Sequence, residues 1–474
     1  MNFLGIHFSL FLCCLIPNSI ASSSHQRVHR QLVSVVAPPF FLVPEVPVVV
    51  PPTAPLLVPS TAPLELTPNV PSPTTNLTQS SVNPSKLSYG LTMDQSSTSN
   101  GPIPRQLIYE VLTRSANHSW EWGTLAQYML EEFYPTLSVY SPTQKIPLDQ
   151  KSNLPYPTFL FDLIDPILQK RKPGIGPIIE DDAAGDPASL LIAVMVMGAT
   201  VKKSPYGWDQ AYYNQVAKDQ IDFLVRMIRR TPDGAISQRV KELQLWNDFM
   251  FMAPPSMVYY GAATGDWLTL RLGYRQAEEY RKAMRDRSTK TWNHIRLGSW
   301  QDETLWSTGN AWSASGMIRM WATMNNMVDK SLREQTKPWR ENLIEWTIEI
   351  VVGAFKFQSP TSGLLQNRYG NATFEEVSGT ALLAASGYRV ATYFPEKISR
   401  LPMNQIEHAR TAILSHNVNR TTGIVFPVVD PFNWGSVLAP GVPSPEGQAF
   451  VLFMITAWES FVRSSQSERP PSPS

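Results

Sequence analysis

Residues 246–255 read WNDFMFMAPP, a run of aromatics, methionines and prolines whose one charge is Asp248. Burying an ionised carboxylate among apolar side chains costs several kcal/mol unless it is paired, hydrogen-bonded or protonated. Two explanations stay open on the pattern alone. Either Asp248 caps a helix, with Phe249, Met252 and Met257 following on one face, or it is a cleft carboxyl of shifted pKa, suited to moving a proton. Six further stretches carry polar and aromatic residues where the surrounding pattern breaks: GDPASL (185–190), ISQR (236–239), WNHI (292–295), WSTGNAW (306–312), EEVSGTA (375–381) and SPEGQAF (444–450). Tryptophan beside Asn, Asp and Glu suits sugars, because the apolar faces of a pyranose stack on aromatic planes while its hydroxyls need polar partners.

The elements that must hold these joints read as helices. Trp339, Leu343, Trp346, Ile350, Ala354 and Phe357 form one apolar stripe, and Ala314, Met317, Ile318, Trp321 and Met324 form another. A third runs through Val216, Ile221, Leu224, Val225 and Ile228 and ends in RRTPDG; a fourth is AFVLFMITAWESFV. Sustained period-two alternation is scarce, so the expected class is all-α, helical hairpins joined by loops. If those hairpins close into a toroid, the joints on one face converge on a central cleft.

Not all of the 474 residues belong to that unit. Residues 1–21 have an apolar centre from Phe8 to Ile16 and a small-residue exit at Ser19 and Ala21, the pattern of a cleaved secretory signal; an uncleaved anchor is the alternative. Residues 22–104 form a Pro/Ser/Thr-rich, disordered linker, too dense in proline for helix. All fourteen tryptophans fall between Trp120 and Trp458, which puts the folded domain at 105–465, with a disordered tail over 466–474. Both cysteines, Cys13 and Cys14, lie in the signal, so neither a disulfide nor a thiol nucleophile is expected in the mature chain. Four sequons, at Asn76, Asn117, Asn371 and Asn419, are compatible with glycosylation and an extracellular destination. A formal charge of +1 without a Lys/Arg run argues against nucleic acid and anionic membrane as partners. The seven histidines show no pairing at ligand spacing, so no metal or cofactor is expected. The domain reads as a monomer that is not inserted in a membrane once its signal is removed.

WNDFMFMAPP, the WxxGNxW pattern of WSTGNAW, and EEVSGTALLA, in this order, resemble the signature segments of the six-hairpin glycosidases, in particular the unsaturated glucuronyl and rhamnogalacturonyl hydrolases of glycoside hydrolase families 88 and 105. The resemblance runs from about Trp120 to Val462 and implies an (α/α)6 barrel. It also implies a reaction: hydration of the C4=C5 double bond of the unsaturated uronic acid that a lyase leaves at the non-reducing end of an oligosaccharide. The general acid/base Asp then matches Asp248, two residues after Trp246, in an apolar setting expected to raise its pKa. A second carboxylate matches Asp186, which on pattern alone reads equally well as a helix cap before Pro187. The resemblance makes His294 a sugar contact, where the residues alone also allow a core or surface histidine. It makes Trp306 and Trp312 the two tryptophans of WxxGNxW around Asn310, although Trp312 also suits a core. Glu375 and Glu376 read as a charged rim, one of them solvated.

Two departures bear on the substrate. The family's WxRGNGW carries a uronate-holding arginine where this chain has Thr308, and an expected histidine is Gln238, which can hydrogen-bond but not exchange a proton near neutral pH. Arg239 is the residue able to supply part of the missing charge. Two alternatives therefore stand beside a secreted uronyl hydrolase. One is a non-catalytic carbohydrate-binding relative; the other is a different (α/α)6 glycosidase such as an endo-mannanase, for which the adjacent pair Asp181–Asp182 is suggestive.

Overall fold

The structure is a computed structural model that describes residues 97–98, 101–150, 153–202 and 204–467, all within Leu87–Ser474, one of two units into which the chain divides. The expected signal segment, nearly all of the linker, Asn76 and residues 468–474 lie outside the described residues. Helix α1 spans Arg105–Ser115, α2 Ser119–Glu132, α3 Thr158–Leu168, α4 Leu191–Thr200 and α5 Gln210–Asp222. They are followed by α6 (Phe249–Met252), α7 (Pro254–Thr264), α8 (Trp267–Met284), α9 (Ser307–Asn325) and α10 (Lys330–Gln335). Last come α11 (Lys337–Phe355), α12 (Val377–Tyr393), α13 (Met403–Ala412) and α14 (Pro445–Ser467). Helix α14 thus carries the domain slightly past its expected end at 465, as helix ends resist placement from sequence. No helix among the described residues is long and apolar enough to cross a membrane.

Neighbour relations close the helices into a ring. Going round, α14 packs on α2, α2 on α4, α4 on α7, α7 on α9, α9 on α12, and α12 again on α14. Each of these inner helices also packs on an outer one: α2 on α3, α4 on α5, α7 on α8, α9 on α11, α12 on α13 and α14 on α1. This is the (α/α)6 barrel that the sequence motifs imply. Burial follows the same division, since a helix covered on every side has no room for a polar face. In α9 every residue from Ser307 to Met324 is buried, whereas outer α8 buries only part of its surface, through Leu270, Tyr274, Ala277, Tyr280 and Met284 among others. Several helices start where a side chain satisfies a free amide: Asp209 caps α5, Asp266 caps α8, Asp329 caps α10 and Glu376 caps α12.

The joints are more ordered than loops. Four two-stranded antiparallel ladders occur among the described residues, pairing β1 (Ser97–Thr98) with β2 (Gly101–Pro102), β3 (Gln244–Trp246) with β4 (Ile295–Leu297), β5 (Leu365–Arg368) with β6 (Asn371–Glu376), and β7 (Val429–Asp430) with β8 (Asn433–Val437). Strands this short carry too little alternation to register as a period in the sequence. The β3–β4 register matters most. Trp246 lies opposite Ile295, and the amide of Asn247 then donates to the carbonyl of His294 at 3.0 Å, so Asp248 and His294 emerge side by side.

Close approach of α9 holds the Asp248 segment from below. A Cβ at Gly316 would lie 1.9 Å from the Met250 carbonyl oxygen, and one at Gly309 would lie 2.1 Å from Asn247 Oδ1. Glycine is required at Gly316 because backbone, not a movable side chain, faces it. G316A should therefore destabilise the domain by about 1–3 kcal/mol through overpacking, read from urea unfolding; a midpoint equal to that of the wild type would refute the close approach.

Candidate active site

The joints at one end of the ring line a cleft of about 670 Å³. Its walls include Asp186, Gln238, Arg239, Trp246, Asp248 and His294, along with Trp306 and Trp312. The structure thus brings together most of the residues singled out in the sequence.

Asp248 occupies the cap position of α6, yet its side chain makes no capping hydrogen bond. It is 8 % exposed, and neither carboxyl oxygen has a hydrogen-bond partner among the described residues. Its ion-pair partner is His294, whose Nε2 stands 3.6 Å from Oδ2, longer than a hydrogen bond. His294 is fully buried, packed against Trp306 at 4.4 Å, Trp434 at 4.8 Å and Trp246 at 5.5 Å between ring centres. Its Nδ1 meets Asp302 Oδ2 at 3.1 Å. Burial lowers the pKa of His294, but Asp248 and Asp302 together outweigh it and favour the charged ring. Asp302 is held well below the usual carboxylate range: burial opposes this, and the contacts of His294 and Thr304 prevail. Asp302 also accepts the indole N–H of Trp434 at 2.6 Å, which fixes its orientation. Asp302, His294 and Asp248 therefore form an acid–imidazole–acid array that ends at a carboxyl without a hydrogen bond.

Asp186 begins a 3-10 turn, Asp186–Leu190, that leads into α4, and like Asp248 it does not cap its helix. Its Oδ1 accepts from Gln238 Nε2 at 2.7 Å instead. That loop is pinned in turn, because the Ala184 amide donates to the Gln238 carbonyl at 2.6 Å. Burial, then the charge of Asp181, push the pKa of Asp186 up to about 8; Asp248 adds to the rise and Gln238 opposes it. Near neutral pH it is a neutral acid. Arg239 lies with its guanidinium carbon 5.7 Å from the centre of the Trp246 ring, at the wall of the cleft.

Two expected sugar contacts do not reach the cleft. Thr308 is fully buried, against Ser378 Oγ at 3.2 Å and Glu376 Oε1 at 3.4 Å, because the first turn of α9 faces α12. Asn310 is also fully buried; its Oδ1 accepts from the Trp292 amide at 2.7 Å and its Nδ2 donates to the Trp292 and Trp306 carbonyls at 2.9 and 2.8 Å. It braces the backbone two residues before His294. Trp312 lines the cleft but is mostly core, 4.4 Å from Phe251 and 4.5 Å from Phe450. Glu375 and Glu376 are no rim: Glu376 is the fully buried cap of α12, and Glu375 accepts from Ser362. Asp181 and Asp182 do line the cleft, but Asp181 accepts from Ser119 and the Ala183 amide, and Asp182 pairs with Lys241 at 3.1 Å.

Several lining residues escape a reading by motif. Asp302 stands in QDETLW, where a charge between two aromatic joints looks solvated. Trp434 and Phe432 belong to the β7–β8 hairpin, and Glu446 lies in the first turn of α14, where an acid is commonplace. Trp120 and Trp300 line the cleft from the start of α2 and the segment after β4. No group of three or more His, Cys, Asp or Glu among the described residues is arranged to hold a metal.

Residues 202–419 match the model of Glycosyl Hydrolase Family 88. Among solved structures, a protein of Salmonella enterica serovar Paratyphi A, described as a possible member of glycoside hydrolase family 105, is 14% identical, with 75% of this chain and 92% of that one covered and a TM-score of 0.55. A family 105 glycoside hydrolase from C. acetobutylicum is 13% identical, with 75% of this chain and 99% of that one covered and a TM-score of 0.52. The unsaturated glucuronyl hydrolase of Bacillus sp. GL1, responsible for the degradation of glycosaminoglycan, is 14% identical, with 77% of this chain and 95% of that one covered and a TM-score of 0.50. No curated protein matches the sequence.

The neutral Asp186 has a stability consequence whose sign is fixed by linkage. Its folded pKa of about 8 exceeds that of an ordinary unfolded aspartate, about 3.9. Between these values the folded chain binds more protons than the unfolded one, so this group's contribution to stability falls as pH rises. D186N removes the titration; the difference in melting temperature between D186N and wild type should grow in favour of D186N from about pH 5 to about pH 8. A constant difference would show that Asp186 is not buried as a neutral acid.

Proposed function

We propose that the chain, whose residues 202–419 match the model of Glycosyl Hydrolase Family 88 and whose fold is shared with family 105 structures, is a glycoside hydrolase that hydrates the unsaturated uronic acid at the non-reducing end of lyase-generated oligosaccharides, with Asp248 as general acid and base. The observation that carries this reading is the Asp248 carboxyl, with neither oxygen hydrogen-bonded, beside a histidine of raised pKa and a second acid of pKa about 8 in a tryptophan-lined cleft. A carboxyl that serves the fold would be capped or hydrogen-bonded; this one is available.

In the proposed reaction Asp248 delivers its proton to C4 of the enol ether. Positive charge then develops at C5, shared with the ring oxygen, and a water attacks C5 while passing a proton back to Asp248. The acid is regenerated, and atoms balance as the addition of one water. The product carries a hydroxyl and the ring oxygen on the same carbon, a hemiketal that opens and lets the aglycone leave from C1. His294, backed by Asp302, stabilises negative charge on Asp248 between the two proton transfers. Asp186, being neutral, avoids a second anion next to a substrate that brings its own carboxylate. Arg239 is the cation assigned to that carboxylate, while Trp246, Trp306 and Trp434 supply planes for the sugar. The endo-mannanase alternative is weakened because Asp181 and Asp182 are each already engaged.

Incubation with unsaturated uronide disaccharides should give loss of the enol-ether absorbance. D248N should lower kcat/KM about a thousandfold, within the usual span of general acid–base catalysis, and R239A should mainly raise KM. Full turnover by D248N would sink the role of Asp248; binding of saccharides without turnover by the wild type would favour the non-catalytic relative.

We further propose that the chain is secreted. Asn117, Asn371 and Asn419 are all exposed, as glycan acceptors must be. Expressed in a glycosylating eukaryotic host, the protein should gain mobility on enzymatic deglycosylation, and an unchanged band would count against passage through that pathway.

A further inference from the structure

Glu446 is a buried carboxyl in the cleft that the reading above leaves without a role. It stands in the first turn of α14, 4 % exposed. Its Oε1 accepts the indole N–H of Trp120 at 2.8 Å, while Oε2 is enclosed and has no hydrogen-bond partner among the described residues. An ionised oxygen enclosed without a donor is expensive, whereas a neutral carboxyl whose Oε1 already accepts carries its proton on Oε2. Resting on the proposed uronide chemistry of this cleft, we propose that Glu446 is a specificity-determining contact that donates a hydrogen bond from Oε2 to an acceptor oxygen of the bound sugar.

The surroundings keep that proton in place. The titratable groups that face Glu446 are acidic: Glu121 from α2, Asp248 from the segment before α6, and Glu376 from the start of α12. Glu121 is occupied by the Asn117 and His118 amides at 2.7 and 3.0 Å and by His118 Nδ1 at 3.2 Å. Glu376 is occupied by the Gly379 amide at 2.7 Å and by Ser378. Burial first, then the charge of Glu121, hold the Glu446 carboxyl well above the ordinary range, with Asp248 and Glu376 adding to the effect and Trp120 opposing it. The donor therefore persists to higher pH than in an ordinary glutamate and is lost as pH rises through the raised pKa. A sugar carboxylate entering the cleft adds one more negative charge and tightens the hold on the proton. The contact does with a neutral acid part of what the family arginine replaced by Thr308 does with charge.

Steady-state kinetics of the full chain on an unsaturated uronide disaccharide, as the free acid and as its methyl ester, test this across pH. E446A should raise KM about tenfold or more, as expected for loss of a hydrogen bond to a charged or strongly polar group, with a smaller change in kcat. E446Q retains an N–H donor of the same length and an acceptor for Trp120; it should stay near the wild-type KM and lose the rise of KM that the wild type shows as Glu446 ionises with increasing pH. A penalty in E446A confined to the free acid identifies the sugar carboxylate as the acceptor; one that persists on the ester identifies a hydroxyl or ring oxygen. The proposal is overturned if KM in E446A stays within about twofold of wild type, or if E446Q is as weak as E446A at every pH. Absence of turnover by the wild type would defeat the hydrolase reading alone. The same comparison is then made on the saccharide Kd from tryptophan fluorescence, with the same outcomes.

Discussion

A carboxyl group enclosed by the fold but left without a hydrogen bond is the constraint on which the rest of this site depends. Most enclosed carboxyls are satisfied, since each unmet oxygen costs free energy that a cap or an ion pair would recover. At Asp248 the fold does not supply the cap, although the residue sits where one would be made. The cost is tolerable because the neighbours are fixed by bonds of their own. The β3–β4 register sets His294 beside Asp248, Asp302 holds the far side of the ring, and Asn310 locks the backbone two residues upstream. Freedom at the Asp248 oxygens is thus matched by the absence of freedom around them.

Electrostatics divide the acids of the cleft by environment rather than by type. Asp302 and Asp186 are both aspartates withdrawn from water, yet one is pushed far below its usual pKa and the other up to about 8. Asp302 faces the imidazole of His294 and the Trp434 indole; Asp186 faces one neutral amide and the charges of Asp181 and Asp248. With Asp186 and Glu446 both displaced toward the neutral form, many carboxyls converge in one cleft with less mutual repulsion.

Motif and role coincide only in part. In WSTGNAW the pattern marks the right segment, but Gly309 and Asn310 act on protein backbone and on the Asn247 side chain rather than on a ligand. Thr308 turns toward α12 and offers no contact to a ligand. What lines the cleft instead comes partly from places with no pattern at all, such as the β7–β8 hairpin. These contacts connect residues more than a hundred positions apart, as Trp434 and Asp302 do, and no window along the chain contains both.

Helical class and the positions of the joints were legible in the sequence because they are periodic and local: apolar residues at three and four, then a break rich in Trp, Asn and Asp. The ring closure from α14 back to α2, the pairing of Asp248 with His294, and the raised pKa values of Asp186 and Glu446 were decided only by tertiary structure. Each depends on which side chains from distant segments share an enclosed space, and a pKa or an unsatisfied oxygen is a property of that enclosure, not of the residue that carries it.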